Sequence, residues 1–186
     1  MASISPPVCD FNQPAIDFAL TGVDGNRHTL ASARGPNGLL VMFICNHCPY
    51  VKAIQARLVE DTRQLRDEFG VHSIAIMSND AHYREEDSFE NMQKIAEQWQ
   101  FPFPYIYDET QAVAKAYGAV CTPDFFGYNA ELKLQYRGRL DASRKETAPA
   151  EVRRDLFEAM KQVAQTGQGP SEQIPSIGCS IKWKAE

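Results

Sequence analysis

The stretch Leu39-Leu40-Val41-Met42-Phe43-Ile44-Cys45-Asn46-His47-Cys48 decides how this chain is interpreted. Its first six residues form an unbroken apolar run, which is typical of a central strand buried on both faces. Pro49 follows, and proline is tolerated at the first position of a helix. From there Val51, Ile54 and Leu58 recur at helical spacing. The sequence therefore predicts a strand, a pair of thiols and a helix N-terminus in immediate succession.

The rest of the chain alternates between strand and helix patterns and ends in a hairpin and a helix. This order predicts an α/β fold whose central sheet is mixed, with a parallel core and helices on both faces. Asp24-Gly25 marks a β-hairpin extension near the N-terminus. We expect one domain over residues 1–186, with an irregular arm at 1–13 and a C-terminal tail at 169–186. The individual predictions are strands at 71–77 and 103–107, helices at 49–69, 85–99, 111–117 and 151–165, and hairpin strands at 125–128 and 132–136.

Length, charge and hydropathy narrow the functional classes. A chain of 186 residues suits one sizeable domain, and a net charge of −5 leaves no basic surplus for nucleic acid. No apolar stretch approaches the roughly 20 residues that span a bilayer, so no membrane partner is expected. The N-terminus lacks the pattern of a signal peptide, which predicts a cytoplasmic protein. In that compartment an odd set of five cysteines favours catalytic or metal-binding thiols over a disulfide framework.

The two motif cysteines are the candidate catalytic residues, and no cofactor is predicted. A thiol reacts as its thiolate, which a helix N-terminus stabilises. Cys45 is expected at the edge of the helix with an exposed sulfur, and Cys48 inside the first turn. This predicts that Cys45 attacks and Cys48 resolves the mixed disulfide. A protonated His47 between them would stabilise the thiolate further.

Other residues near the motif have two interpretations. Zinc binding by Cys45, His47 and Cys48 with Cys121 or Cys179 is an alternative to redox chemistry, although no second ligand pair exists. Cys179, in the tail, and Cys121 are possible relay thiols. Asn46 is a supporting candidate. A solvated helix start is expected for Glu85, Glu86 and Asp87. Asn79 and Asp80 are either turn and capping residues or, because strand ends converge on one edge of the sheet, polar groups near the dithiol.

Several stretches of the chain carry a resemblance to a known group. Together with Cys45-Asn46-His47-Cys48, they resemble the thioredoxin-like superfamily, and within it the peroxiredoxin-like, AhpC/TSA-related proteins. The resemblance implies a cis Pro123 that faces the dithiol, and a Thr122 whose backbone contacts the substrate. The further stretches are Asp17-Phe18-Ala19-Leu20, Gly22-Val23-Asp24-Gly25, Ser78-Asn79-Asp80, residues 87–92, residues 117–125, Tyr136-Arg137-Gly138-Arg139 and residues 178–184.

The resemblance also implies an alternative activity, thiol-dependent peroxide reduction through Cys48. The peroxiredoxin pattern has a threonine where this chain has Cys45, and its arginine matches only Arg137 or Arg139 as candidates. The sequence therefore favours a thiol–disulfide oxidoreductase that acts on protein or small-molecule disulfides or thiols with an unidentified thiol reductant. A non-catalytic redox-sensing or zinc-binding module is the third possibility.

Overall fold

The computed structural model describes residues 2–185, so the predicted termini of the domain, Met1 and Glu186, lie outside the described residues. The strands are β1 (Ser3–Ile4), β2 (Ala19–Thr21), β3 (Arg27–Thr29), β4 (Gly38–Phe43), β5 (Val71–Met77), β6 (Tyr105–Tyr107), β7 (Cys121–Thr122), β8 (Asp124–Asn129), β9 (Leu134–Tyr136) and β10 (Gly178–Ser180). The helices are α1 (Leu30–Ala33), α2 (Pro49–Lys52), α3 (Gln55–Phe69), α4 (Phe89–Gln98), α5 (Ala112–Tyr117) and α6 (Asp155–Thr166), with a 3₁₀ turn over Glu85–Asp87.

The central sheet has five strands in the order β6-β5-β4-β8-β9. β4 pairs in parallel with β5, and β5 with β6, whereas β8 and β9 are antiparallel. This is the predicted mixed sheet, and the fold class is confirmed. The carboxyl ends of β4 and β5 lie at one edge, where open α/β sheets usually carry their sites.

The apolar run of β4 forms the middle of the core, and all of its side chains are buried. Leu40 and Met42 belong to one apolar cluster, which also takes in residues of α3, α4 and α6. Leu39, Val41 and Phe43 belong to a second cluster on the other face, with residues of α1 and α5. Successive side chains of a strand point to opposite faces of the sheet, so alternate residues of β4 enter the two clusters. Because both faces of β4 are buried, every residue of the strand has to be apolar.

The predicted long helix after the motif is divided into α2 and α3. The Ile54 N–H donates to the carbonyl of Val51, three residues back, which tightens the chain between the two helices. α3 ends at Phe69, and Gly70 caps it with φ of 67°. Glycine tolerates this left-handed conformation, so the predicted helix end is confirmed.

The two ends of the chain meet in a second sheet of order β1-β10-β7. The arm predicted to be irregular thus contains a short strand, because Ser3 and Ile4 pair with Cys179 and Gly178. The predicted extension, β2 and β3, is a separate antiparallel pair. Within residues 2–185, no helix has both the length and the apolar character to cross a membrane.

Candidate active site

The motif loop connects β4 to α2 beneath the surface. Ile44 N–H still donates to the carbonyl of Ile76 in β5, and Cys48 is the residue that caps α2 ahead of Pro49. Cys45 is 2% exposed and Cys48 0% exposed. The expectation of an exposed Cys45 sulfur is wrong, because neighbouring loops and the C-terminal tail cover the motif.

Asp87 is the residue that organises the motif loop. Its Oδ1 accepts hydrogen bonds from the backbone N–H groups of Asn46 at 2.8 Å and His47 at 3.2 Å. Its Oδ2 lies 2.5 Å from His47 Nδ1 and accepts from Asn79 Nδ2 at 3.0 Å. Burial opposes ionisation of Asp87, but the hydrogen bonds from His47 and Asn79 hold its pKa below the usual range. The Asp87 carboxylate thus binds the backbone of Asn46 and His47 and the side chain of His47, and so fixes the conformation of the motif loop.

The sequence missed this role of Asp87. A solvated helix start was predicted for residues 85–87, and the structure agrees only for Glu85 and Glu86, whereas Asp87 is 0% exposed. The one available signal was that the N–H groups of the motif loop need acceptors once they are buried. Burial of these N–H groups predicts that some residue accepts their hydrogen bonds, but it does not predict which residue.

His47 is bound to Asp87 rather than placed to serve a thiolate. Its Nδ1 contacts the carboxylate, and its buried Nε2 has no hydrogen-bond partner among the described residues. Because an Asp87 carboxylate balances the charge of a protonated His47, the pair adds little net positive potential near the sulfurs. The predicted stabilisation of a Cys45 thiolate by His47 therefore has no support in this geometry.

Three potential metal donors meet at the same place, since donor atoms of Cys45, His47 and Asp87 lie within 4.8 Å of one another. Both oxygens of Asp87 already accept two hydrogen bonds each. A metal ion would have to displace the contact with His47 or with Asn79. The donor set fits a hydrogen-bonded loop anchor better than a metal site.

Thr122 contacts both sulfurs of the motif. Its Oγ1 lies 3.3 Å from Cys45 Sγ, and its carbonyl oxygen lies 3.3 Å from Cys48 Sγ, which donates to it as a thiol. The Thr122–Pro123 peptide bond is cis. Pro123 and Tyr50 also line a cleft of about 160 Å³ on this side of the motif, and no cysteine is among its lining residues.

The two thiols of the motif differ in acidity, in the order opposite to the predicted one. Burial raises the pKa of Cys45 well above its ordinary value, and hydrogen bonding to Cys48 and the charge of Asp87 raise it further. Hydrogen bonding from Cys45 lowers the pKa of Cys48 to about 5, against the opposing effect of burial. Cys179 and the backbone N–H of Val51 add to the lowering. These effects favour the thiolate on Cys48, and its formation removes the hydrogen bond that the Cys48 thiol donates to the Thr122 carbonyl.

The remaining cysteines occupy different places. Cys179 is 3% exposed and lies in the same apolar cluster as Cys45 and Cys48. Cys121 is buried one residue before Thr122, and burial strongly raises its pKa. Cys9 is half-buried and lines another cleft with Arg137 and Gln173.

Asn46 and Asn79 are fixed by groups from outside the motif. Asn46 Oδ1 accepts from the hydroxyl of Tyr105 at 2.8 Å, and its amide donates to the carbonyl of Glu86. Asn79 Oδ1 accepts from the backbone N–H of Lys182 in the tail, at 3.0 Å. Tyr105 was not singled out from the sequence, since a tyrosine in an apolar strand carries no signal beyond packing.

Both candidate arginines form ion pairs elsewhere. Arg137 Nη2 binds Asp124 at 3.0 Å and lies against the ring of Phe126. Arg139 binds Asp155 at 2.7 Å. Neither candidate is thus placed as the arginine of a peroxide site.

Comparisons with known proteins agree with this architecture. The family model described as AhpC/TSA family matches residues 11–140. An uncharacterized conserved protein from Geobacillus kaustophilus is 45% identical, with a TM-score of 0.93 and coverage of 100% of this chain and 98% of that chain. Among curated proteins, none matches.

Two more distant structures share the fold. One is a secreted disulfide oxidoreductase of Mycobacterium tuberculosis that is homologous to E. coli DsbE. It is 17% identical with a TM-score of 0.55, and the alignment covers 69% of this chain and 88% of that protein. Peroxidoxin BcpB of Mycobacterium tuberculosis is 14% identical with a TM-score of 0.60, covering 84% of this chain and 96% of its own. At these identities the likeness concerns the thioredoxin-like fold alone.

Proposed function

This chain belongs to the AhpC/TSA family, and on that premise we propose that it is a thiol–disulfide oxidoreductase that uses Cys45 and Cys48. The observation that carries the proposal is the pair of thiols after β4, both of which contact Thr122 beside the cis Thr122–Pro123 bond. The pKa of Cys48 is lowered to about 5, whereas that of its neighbour Cys45 is raised. A thiolate beside a protonated thiol is the arrangement that both steps of disulfide exchange require.

The first step belongs to Cys48 in this proposal, which reverses the roles expected from the sequence. The Cys48 thiolate attacks one sulfur of a substrate disulfide and forms a mixed disulfide. The substrate disulfide bond breaks, and the released substrate thiolate takes up a proton. No electrons leave the system in this step, because one disulfide replaces another.

Cys45 completes the exchange. Burial is the largest cause of the raised pKa of Cys45, and the contributions of Cys48 that add to it are lost once Cys48 is bonded to the substrate. Cys45 then loses its proton and attacks Cys48 Sγ, and the second substrate thiolate leaves and takes that proton. The substrate is reduced by two electrons, and the Cys45–Cys48 disulfide awaits a thiol reductant. Thr122 Oγ1, at 3.3 Å from Cys45 Sγ, assists by donating a hydrogen bond to the forming thiolate.

Burial bears on the kind of substrate. Since Cys45 is 2% and Cys48 0% exposed, any disulfide reaches the sulfurs only after the covering segments move, and a small molecule requires a smaller movement than a folded protein. The proposal therefore favours small-molecule disulfides. We also propose that the protein acts in the cytoplasm and that a thiol reductant, not yet identified, reduces its Cys45–Cys48 disulfide.

The test is reduction of a small-molecule disulfide by the wild-type protein and by single serine variants. Cys48→Ser is expected to abolish turnover, and Cys45→Ser combined with Cys179→Ser is expected to stop at a mixed disulfide on Cys48 that mass spectrometry detects. Cys9→Ser serves as the matched control. A mixed disulfide that forms on Cys45 in the Cys48→Ser variant would restore the roles expected from the sequence and overturn this assignment.

A second candidate function, thiol-dependent peroxide reduction, is favoured by the lowered pKa of the fully buried Cys48. There the Cys48 thiolate would take one oxygen from hydrogen peroxide, release water and become a sulfenic acid, and Cys45 would condense with it to a disulfide and a second water. The ion pairs of Arg137 and Arg139 argue against this function. Peroxide consumption that survives Cys45→Ser but not Cys48→Ser would select it over disulfide exchange.

A further inference from the structure

We propose that Cys179 is a third catalytic thiol of this site, which takes the disulfide over from Cys45 by bonding to Cys48. The inference rests on the proposed function, since it needs a Cys45–Cys48 disulfide as its starting point. It extends that function by giving the oxidised protein a second state, in which Cys45 is again a free thiol.

The register of β10 carries the first part of the argument. Cys179 stands directly opposite Thr122, and Ser180 opposite Cys121, in the antiparallel pair of β10 and β7. Opposed residues of such a pair project to the same face, and successive residues to opposite faces. Cys179 therefore shares the face of Thr122, which contacts both motif sulfurs, whereas Cys121 projects to the other face.

Proximity to Cys48 carries the second part. Cys179 belongs to the same buried cluster as Cys45 and Cys48. After Cys45, it is the neighbouring thiol that lowers the pKa of Cys48. β10 also packs against α2, the helix that Cys48 caps. Cys48 thus has two thiols as neighbours, Cys45 and Cys179. Cys48 can therefore form a disulfide with either Cys45 or Cys179.

The tail is anchored on both sides of Cys179, so the thiol is held in place. Before it, Ser176 Oγ donates to the carbonyl of Pro123 at 2.7 Å. After it, Asn79 Oδ1 and the backbone of Asp80 bond the backbone of Lys182. Gly178 permits the close approach, because a Cβ there would lie 2.0 Å from the carbonyl oxygen of Thr122.

The transfer step balances without a further reactant. The Cys179 thiol loses its proton and attacks Cys48 Sγ of the Cys45–Cys48 disulfide. The Cys48–Cys179 bond forms, the Cys45–Cys48 bond breaks, and Cys45 leaves as a thiolate that takes up a proton. The protein as a whole is neither oxidised nor reduced. Burial, with a further contribution from Cys48, raises the pKa of Cys179 to about 12, while the positive charges of Lys182 and Lys145 offset part of this rise. The contribution of the Cys48 charge is absent while Cys48 is held in the disulfide.

Disulfide mapping after oxidation by diamide tests this proposal. Trypsin cuts after Arg34, Lys52, Lys161 and Lys182, so Cys45 and Cys48 fall in peptide 35–52 and Cys179 in peptide 162–182. A Cys48–Cys179 bond therefore appears as a cross-link between these two peptides. We expect the cross-link in part of the wild-type protein, in most of the Cys45→Ser protein and in none of the Cys48→Ser protein.

Two outcomes would overturn the relay. One is a Cys45→Ser protein that stays uncross-linked under oxidation, and the other is a cross-link that survives Cys48→Ser. Cys9→Ser is the control that must retain the cross-link, and circular dichroism of each variant shows that it is folded. If the wild-type protein forms Cys45–Cys48 without any cross-link, the relay fails and the proposed function stands. If neither bond forms and disulfide reduction is absent, the proposed function itself fails.

Discussion

The two sides of the motif differ in the groups that they present to its sulfurs. On the side of Cys45 lies Asp87, whose negative charge adds to burial and to Cys48 in raising the pKa of that thiol. On the side of Cys48 lie the tail and the start of α2, which present N–H groups of Cys179 and Val51 as well as the thiol of Cys179. The two sulfurs, only three residues apart, therefore differ in pKa, because Asp87 and burial act on Cys45 and thiol neighbours act on Cys48.

This difference teaches that the Cys-x-x-Cys spacing does not by itself assign the roles of its two cysteines. Helix position favours a thiolate near either one. Asp87 and Cys179, whose surroundings distinguish the two, lie 39 and 131 residues after Cys48 along the chain. Each side can be perturbed separately.

Loss of the Asp87 carboxylate is the strongest test of the first side. Asp87→Ala leaves His47 and two backbone N–H groups without their acceptor in a buried place. Because removal of one partner from a buried charged pair costs about 3–5 kcal/mol, we expect a loss of that size in the free energy of unfolding. Chemical denaturation measures it. A loss below about 1 kcal/mol would mean that the loop does not depend on this carboxylate.

Gly178→Ala perturbs the second side. The new Cβ would lie 2.0 Å from the carbonyl oxygen of Thr122, so β10 has to move away from β7. Overpacking of this kind costs about 1–3 kcal/mol, and we expect a loss of stability in that range together with faster alkylation of Cys179. Ser180→Ala, in the same strand, is the matched control. Unchanged alkylation in Gly178→Ala would contradict the close approach of these strands.

A pH titration sharpens the comparison of the two sulfurs. Ultraviolet absorbance of the thiolate is expected to disappear as the pH falls through about 5, since the pKa of Cys48 is lowered to that value. A hydrogen bond to a charged group contributes roughly 1.5–3 kcal/mol, so Cys45→Ala should raise the midpoint by about one to two pH units.

The neighbouring thiols provide the controls for this titration. Cys179→Ala is expected to raise the midpoint by less than Cys45→Ala, because the contribution of Cys179 is smaller. Cys9→Ala should leave it unchanged. A midpoint near 9 in the wild-type protein would show that Cys48 is an ordinary thiol and would remove the basis for its role as first nucleophile.

The smallest effect is expected one residue away from Asp87. Glu86 pairs with Lys52 at 3.4 Å, but the two side chains are 58% and 56% exposed. An exposed pair contributes roughly 0.2–1 kcal/mol, so Glu86→Gln should change the free energy of unfolding by no more than that. Denaturation at low and high salt checks it. An effect as large as that of Asp87→Ala would mean that the whole turn, rather than the buried carboxylate, holds the motif.

The local patterns were sufficient for much of the fold. The run from Leu39 to Ile44 predicted a strand buried on both faces, and Gly70 predicted the end of a helix. Strand 71–77 agrees in both bounds with β5. These features depend on periodicity and on single-residue backbone preferences, which are local properties of the chain.

The sequence by itself determined the fold class and the pair of thiols, because an apolar strand followed by two cysteines and a helix is written in consecutive residues. Only the tertiary structure decided that Asp87 is buried, that β10 lies beside Thr122 and that Cys48 rather than Cys45 is the more acidic thiol. The physical reason is that a pKa depends on burial and on donors within a few ångströms. Those donors come from segments far apart in the chain, and no local pattern encodes their meeting.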